Sequence, residues 1–266
     1  MLFRFILVVG IAIVAVHVVH SLTLDRIIEY KEVSFSSPNV TTEINGYRIA
    51  FVTDTHELSE EGLRGIAREL NEKNVDLLIF GGDFSSYGET PRGAIEILSH
   101  ITTTDGIYGV AGNHDNAADL FKVMEEYGIT PLSNSGSHVR DKLYLAGVKD
   151  FWTHDASISE AINGALPNDF VLLVSHNADI TMVQDTTSVD LVLSGHTHGG
   201  QITFFGFFAP ALLTKIVTDY GHRFMSGWST SRDGSPVYVS NGAGDYKSAP
   251  RVFARPQVIL ITLYTE

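Results

Sequence analysis

Five short apolar runs in this chain end, directly or after a glycine or serine, in side chains able to bind a metal ion. Tyr47 to Thr53 runs into Asp54-Thr55-His56. Asp76 to Phe80 runs into Gly81-Gly82-Asp83, and Ile107 to Ala111 into Gly112-Asn113-His114-Asp115. Phe170 to Val174 runs into Ser175-His176-Asn177. Leu191 to Ser194 runs into Gly195-His196-Thr197-His198-Gly199-Gly200-Gln201. Apolar runs of this length, bounded by turn residues, read as strands buried on both faces. With helical patterns between them they predict an α/β fold, and in such sheets ligands gather at the carboxyl ends of adjacent strands.

The intervening segments carry their own punctuation. Ser59 reads as a helix N-cap with Glu60 and Glu61 in the first turn, and the helix runs to about Asn71. Thr90 and Pro91 read as the N-cap and N1 of a helix to about His100. A third helix spans about Ala117 to Tyr127 and closes at Gly128. Ile129 to Phe151 alternates apolar and polar residues around the turn cluster Ser133 to Ser137, predicting antiparallel strands. Short helices follow near Ser157 to Asn163 and Ala178 to Asp185. Phe224 to Ser231 and Pro236 to Ser240 form a hairpin around Asp233-Gly234, and Gln257 to Tyr264 is the last strand. No internal repeat or low-complexity linker divides residues 47–266, which are read as one domain. The aromatic stretch Phe204 to Phe208 has two readings: a lid packed over the glycine-rich loop, or a surface that meets a bilayer or the acyl part of a substrate.

The N-terminus is different. Phe5 to Val19 is almost wholly apolar and Arg4 precedes it. The run up to Leu24 is long enough to span a bilayer, and no small-x-small site before Leu24 marks it for cleavage. Residues 1–24 are therefore expected to be a signal anchor, 25–46 a tether and first strand, and 47–266 the folded domain. The charge balance on either side of the run predicts a cytoplasmic N-terminus and an extracytoplasmic body.

Charge and composition narrow the chemistry. The formal net charge of −13 disfavours binding to nucleic-acid phosphates. An acidic chain that acts on phosphates needs a local cation, and bound metal supplies one. There is no cysteine, which excludes disulfides, thiolate sites and a cysteine nucleophile. The strand-end donors are carboxylate, imidazole and amide, a set suited to Mn, Fe or Zn and too rich in nitrogen for calcium. Asp54, His56, Asp83, Asn113, His114, His176, His196 and His198 exceed the needs of one ion. They suit two divalent ions sharing a bridging carboxylate, about 3.5–4 Å apart. His100, His138, His154 and His222 lack such a context and read as surface residues.

Asp54-x-His56, Gly-Gly-Asp83, Gly-Asn113-His114-Asp115, His176 and Gly-His196-x-His198, in this order, resemble the five blocks of the calcineurin-like metallophosphoesterase superfamily. The Gly195 to Gln201 ending, the N-terminal anchor and the Arg255 to Leu263 strand are similar to its YkuE/YaeI-type bacterial phosphodiesterases. The resemblance implies a four-layer αββα sandwich with two mixed sheets. It also implies a binuclear phosphoesterase acting on phosphodiester or pyrophosphate bonds by attack of a metal-bridging hydroxide, with cell-envelope glycolipids among the substrates. By the same resemblance Asp54, His56, Asp83 and His198 hold one ion, and Asp83, Asn113, His176 and His196 the other. His114 assists the developing charge or leaving oxygen, and Asp115 orients His114. Gly199 and Gly200 are expected to clear space for substrate, and Gln201 to reach its phosphate. Glu57-Leu58 and Ala178 depart from the usual pattern at the site rim, and Glu57 is expected to be solvated. The alternative is a non-catalytic scaffold on the same fold, which a complete ligand set disfavours.

Overall fold

The computed structural model describes all residues 1–266. In chain order the elements are α1 (Leu2–Leu22), β1 (Glu29–Ser37), β2 (Arg48–Val52), α2 (Glu60–Lys73), β3 (Leu77–Phe80), α3 (Arg92–Ser99), β4 (Ile107–Gly109), α4 (Ala117–Glu126), β5 (Thr130–Pro131), β6 (Ser135–Arg140), β7 (Leu143–Gly147), α5 (Ile158–Ala161), β8 (Phe170–Val174), α6 (Ile180–Val183), β9 (Leu191–Ser194), β10 (Gly227–Thr230), β11 (Pro236–Val239) and β12 (Gln257–Thr265). They build two six-stranded sheets, ordered β1-β12-β2-β3-β4-β5 and β10-β11-β9-β8-β7-β6. Both are mixed. In the first, β12 runs antiparallel to β2 and the rest are parallel; in the second, the outer hairpins β6-β7 and β10-β11 are antiparallel.

Three apolar clusters define four layers. Phe51, Leu77 and Ile79 from the first sheet meet Leu145, Leu172 and Leu193 from the second. The opposite face of the first sheet packs on the helices through Leu63, Ile66, Leu98 and Leu120. The opposite face of the second packs on Ile158, Ile180 and Phe224. The expected αββα sandwich is therefore the observed one. α2 shows how the sequence sets a layer: Leu63, Ile66, Ala67 and Leu70 recur at helical spacing and are its buried face. Ser59 caps it by accepting from Gly62 N at 3.2 Å, and Asn74 ends it in the left-handed region.

Some boundaries differ from expectation. The segment after α1 contains the expected first strand, but the strand comes early in it and not at its end. β1 starts at Glu29 and pairs along its whole length with β12. Asp25 fastens its approach, accepting from Phe253 N at 2.8 Å and Ala254 N at 3.2 Å. The turn expected at Ser133 to Ser137 lies instead at Asp141-Lys142, where Lys142 has φ +64°; Ser135 to Arg140 is an edge strand with polar, turn-like composition. Pro91, not Thr90, precedes the first turn of α3. The helix expected over Ala178 to Asp185 contracts to the single turn α6.

α1 lies outside all three cores, with none of its residues buried. Its 21 residues span about 32 Å at 1.5 Å per residue, long and apolar enough to cross a membrane.

Candidate metal centre

The carboxyl ends of β2, β3 and β4 deliver Asp54 with His56, Asp83, and Asn113 with His114. The ends of β8 and β9, in the facing sheet, deliver His176 and His196 with His198. The structure gathers these side chains into two buried groups: Asp54, His56 and His198, and Asp83, His176 and His196. Asp83 joins them, because its Oδ2 lies 3.2 Å from His176 Nε2 and 3.8 Å from His56 Nε2. His198 Nε2 lies 3.3 Å from Asp54 Oδ1 and 3.0 Å from His56 Nε2.

The backbone is strained where it aims these side chains. Asp54, His56, Asp83, His196 and His198 all have positive φ, between +39° and +71°. Non-glycine residues adopt this region at a cost of about 1–2 kcal/mol each, and such residues cluster at functional sites. It also resolves how two histidines spaced i, i+2 serve neighbouring groups: each turns the chain left-handedly.

Each imidazole is held from behind. His176 Nδ1 lies 2.8 Å from Gly81 O, His196 Nε2 2.7 Å from Val217 O, His56 Nδ1 3.0 Å from Ser86 Oγ, and His198 Nδ1 3.1 Å from Arg251 Nη2. For His176, His196 and His56 an oxygen that accepts one ring N–H leaves the other nitrogen free, as partners of metal-binding histidines do; Arg251 can only donate, so it steadies the His198 loop without setting that tautomer. One polar atom at the centre, Asn113 Oδ1, is buried and makes no hydrogen bond, while His176 Nε2 has only the Asp83 carboxylate beside it. Unpaired buried polar atoms are costly. Together with an all-oxygen-and-nitrogen donor set, they fit a centre that binds divalent ions.

Electrostatics in the metal-free protein follow from burial and proximity. Burial would raise the Asp83 carboxyl, but His176 beside it outweighs this and holds it below the usual carboxylate range. Asp54 is likewise lowered despite burial, by His198 and His176. Burial pushes His176 down, yet Asp83 and Asp54 lift it well above the ordinary histidine value. Burial lowers His198 to about 3, with Arg251 and His56 adding to the effect against Asp54. The lowered value disfavours a proton on His198, whereas the raised one favours a proton on His176, which that ring must lose to bind metal. Uptake by the Asp83 group is expected to release a proton and to tighten as pH rises from 6 to 8, by up to about tenfold per unit. Calorimetry in buffers of different ionisation heat measures the release; an affinity flat across that range would contradict a protonated His176.

Several expected roles are corrected. Asp115 does not orient His114. Its carboxylate accepts from the backbone N–H of Asp83 at 2.7 Å, Phe84 at 2.9 Å and Gly112 at 2.9 Å, tying the β3 and β4 loops together. Burial and the Asp83 charge push it up to about 7, against those hydrogen bonds. Gly199 and Gly200 clear space for protein, not substrate: a Cβ on Gly199 would sit 2.6 Å from Asn241 Oδ1, and one on Gly200 would collide with Ala209 Cβ. The Gln201 amide is engaged with Ala249 O at 3.0 Å. Glu57 is exposed but not free, since it accepts from Ser86 Oγ at 2.9 Å, the hydroxyl that contacts His56. His222 accepts from Ala209 N at 2.8 Å and stacks on Phe208, so it braces the aromatic loop.

Other residues at the centre went unrecognised in the sequence. Tyr246 places its ring 4.9 Å from that of His114 and 5.5 Å from that of His56. Trp152 stands edge-on to His196 at 5.0 Å. Arg251, 2% exposed, backs the His198 loop. The signal available was β11: its parallel pairing with β9 brings the following Ser240 to Tyr246 segment to the same sheet edge. A cleft of about 370 Å³ opens over the centre. Asp83, Asn113, His114, His196 and His198 supply polar lining, and Trp152, Leu212, Ile216 and Val217 its apolar wall.

These features agree with the comparisons to known proteins. A family model for calcineurin-like phosphoesterases matches residues 47–200, more than half of the chain, and the chain belongs to this family. It is 30% identical over 225 residues to an uncharacterised metallophosphoesterase of Helicobacter pylori, covering 80% of this chain and 58% of the relative. It is 29% identical to a zebrafish protein named a transmembrane protein with metallophosphoesterase domain, over 83% of this chain and 54% of that one. To the uncharacterised metallophosphoesterase YkuE of Bacillus subtilis it is 26% identical, over 90% of this chain and 86% of the relative. The chain thus spans little more than half of the H. pylori and zebrafish proteins.

Proposed function

We propose that this chain is a two-metal phosphohydrolase that cleaves phosphodiester or pyrophosphate bonds of a lipid-linked or cell-envelope substrate. The observation that carries the reading is the position of Asp83 Oδ2 between two buried ligand groups whose imidazoles are all held from behind. Asp54, His56, Asp83 and His198 would hold one ion; Asp83, Asn113, His176 and His196 the other. Bound there, a pair of Mn, Fe or Zn ions supplies Lewis-acid charge and an acidified water nucleophile. The chain's own contribution is orientation and leaving-group help. His114 is half-buried in the cleft; burial lowers its pKa, with His56 and His176 adding to the effect against Asp83. It is therefore neutral at pH 7, and nearby cations would keep it so. Its role is to donate a hydrogen bond to the charge that develops on phosphorus or on the leaving oxygen. The apolar residues in the cleft lining favour a substrate with an apolar substituent. α1 serves as a signal anchor that leaves the body on the extracytoplasmic side, supported by Arg4 before the apolar run.

The test is a metal-by-substrate screen of the full chain in detergent. Mn, Fe and Zn are crossed with a model diester, a model monoester and a UDP-linked glycolipid. Metal-dependent turnover, faster on diester or pyrophosphate than on monoester, is expected. A chain that binds no divalent metal, or binds it and turns over none of the three, would sink the proposal and leave the scaffold alternative. His114→Ala should lower kcat by about 10²–10⁴-fold while both ions remain bound; loss of metal in that variant would place His114 among the ligands instead.

A further inference from the structure

Between Gln201 and Val217 the chain has no acidic residue and one cation, Lys215, although acidic residues outnumber basic ones 31 to 18 overall. In the same stretch Phe204, Phe205, Phe207, Phe208, Leu213 and Ile216 are all exposed, between 38% and 74%. Elsewhere on the folded body exposed large apolar side chains are scattered singly, as is ordinary for a protein surface. A contiguous stretch of this kind marks an interaction surface.

Its position says what covers it. The Phe204 ring stacks on His17 of α1 at 5.3 Å, and Phe205 meets the same ring edge-on at 4.5 Å. Phe253 lies 4.9 Å from His17 and 3.9 Å from His20. His20 in turn contacts Asp25, 2.8 Å away, whose carboxylate holds the Phe253 and Ala254 amides. The loop is therefore fixed against the last turns of the apolar helix. His17 lies five residues before the end of α1 at Leu22, so the rings sit about 8 Å back along its axis at 1.5 Å per residue. If α1 crosses a bilayer about 30 Å thick, that level lies about 8 Å below the boundary between headgroups and acyl chains, a depth to which interfacial apolar surfaces bury.

We infer that the segment Phe204 to Ile216 is a membrane-seating surface, occupied by the interfacial layer of the bilayer that α1 spans. This rests on the anchor reading above. The seat is apolar rather than electrostatic, since Lys215 is its one charged residue. It also shares a residue with the centre, since Ile216 is on the surface and in the apolar wall of the cleft. A phosphate ester carried on a lipid then reaches the metal groups along this wall without leaving the membrane.

The absence of cysteine permits single-site labelling of the full chain. Phe207→Cys and Ile216→Cys, each carrying an environment-sensitive fluorophore, are reconstituted in vesicles of phosphatidylethanolamine and phosphatidylglycerol. Gly10→Cys in α1 serves as the embedded control. Leu166→Cys is the aqueous control, because it precedes β8 and so lies at the end of the sheet away from the centre. Labels at 207 and 216 should be quenched by a lipid carrying a shallow nitroxide and lose quenching by aqueous iodide, as at position 10. Iodide quenching equal to that at position 166 would overturn the inference. Shielding from both quenchers would overturn it too, by showing that a second copy of the chain covers the surface. The readout involves no hydrolysis, so a seated but inactive chain would defeat only the phosphohydrolase reading, and an active but unseated one only this inference.

Discussion

Asp83→Ala is expected to empty both halves of the centre at once, and to lower kcat/KM by roughly 10³-fold or more. The magnitude follows from the charge stabilisation of several kcal/mol that bound ions provide, at about 1.4 kcal/mol per tenfold. The reason for a double loss is geometric: one oxygen, Oδ2, faces His176 of one group and His56 of the other. Oδ1 has a separate structural duty, accepting the His114 backbone N–H at 2.9 Å. The alanine variant therefore also strands a backbone donor, at about 1–3 kcal/mol. Asp83→Asn separates the two effects, because its amide oxygen can keep the His114 contact while the bridging charge is gone. Neither change leaves His176 as a buried unpaired cation, since without Asp83 that ring can shed its proton. Both variants should remain folded by circular dichroism and contain neither ion by elemental analysis. Retention of one ion by Asp83→Asn would show that the groups bind independently; retention of both would end the bridging assignment.

What the sequence disclosed and what it concealed have physical causes. β2, β3, β8 and β9 are legible because almost every residue in them is buried, so each reads as an apolar run with a sharp end. β1 and β6 lie at sheet edges, where one side of the strand faces water. In β1 only Val33 and Phe35 on one face and Tyr30 on the other give an inward apolar signal, and Ser135-Gly136-Ser137 in β6 imitates a turn. At the centre, the strand-end histidines and carboxylates are legible because register alone places them side by side. Asp115 misleads because its sequence neighbour is His114, whereas the fold brings it three backbone amides, two of them from the β3 loop. Ser86, Trp152, Tyr246 and Arg251 lie outside the motif blocks. They reach the centre only through tertiary packing, which has no period along the chain.

Arg251 illustrates how much such a residue can carry, and Arg251→Met is expected to have the second-largest effect. The guanidinium is 2% exposed and donates to Ala254 O at 2.9 Å, His198 O at 3.3 Å, Gly242 O at 3.4 Å, and Gly244 O. Its Nε donates to Asp245 at 2.9 Å, and its Nη2 lies 3.1 Å from His198 Nδ1. Asp245 is half-exposed and can find water when the arginine is gone, so the lost ion pair matters less than the stranded carbonyls. Of those four acceptors one is His198 itself, Gly242 and Gly244 lie against Asp54 and Thr55, and Ala254 is in the segment before β12. Leaving buried acceptors unpaired costs about 1–3 kcal/mol each before relaxation, so a net loss of about 3 kcal/mol is a reasonable expectation. For a chain of this size that lowers Tm by roughly 6–12 °C. Methionine keeps much of the volume but none of the donors, so packing loss is held small. Metal affinity of the Asp54, His56 and His198 group should fall by about 10–100-fold, the usual consequence of removing support behind a ligand. The Asp83, His176 and His196 group lacks this contact and should be less affected. Thermal melting and metal titration of Arg251→Met beside Asp245→Asn decide the matter: the asparagine variant should stay near wild type in both, and an Arg251→Met protein that also did so would deny Arg251 any positioning role.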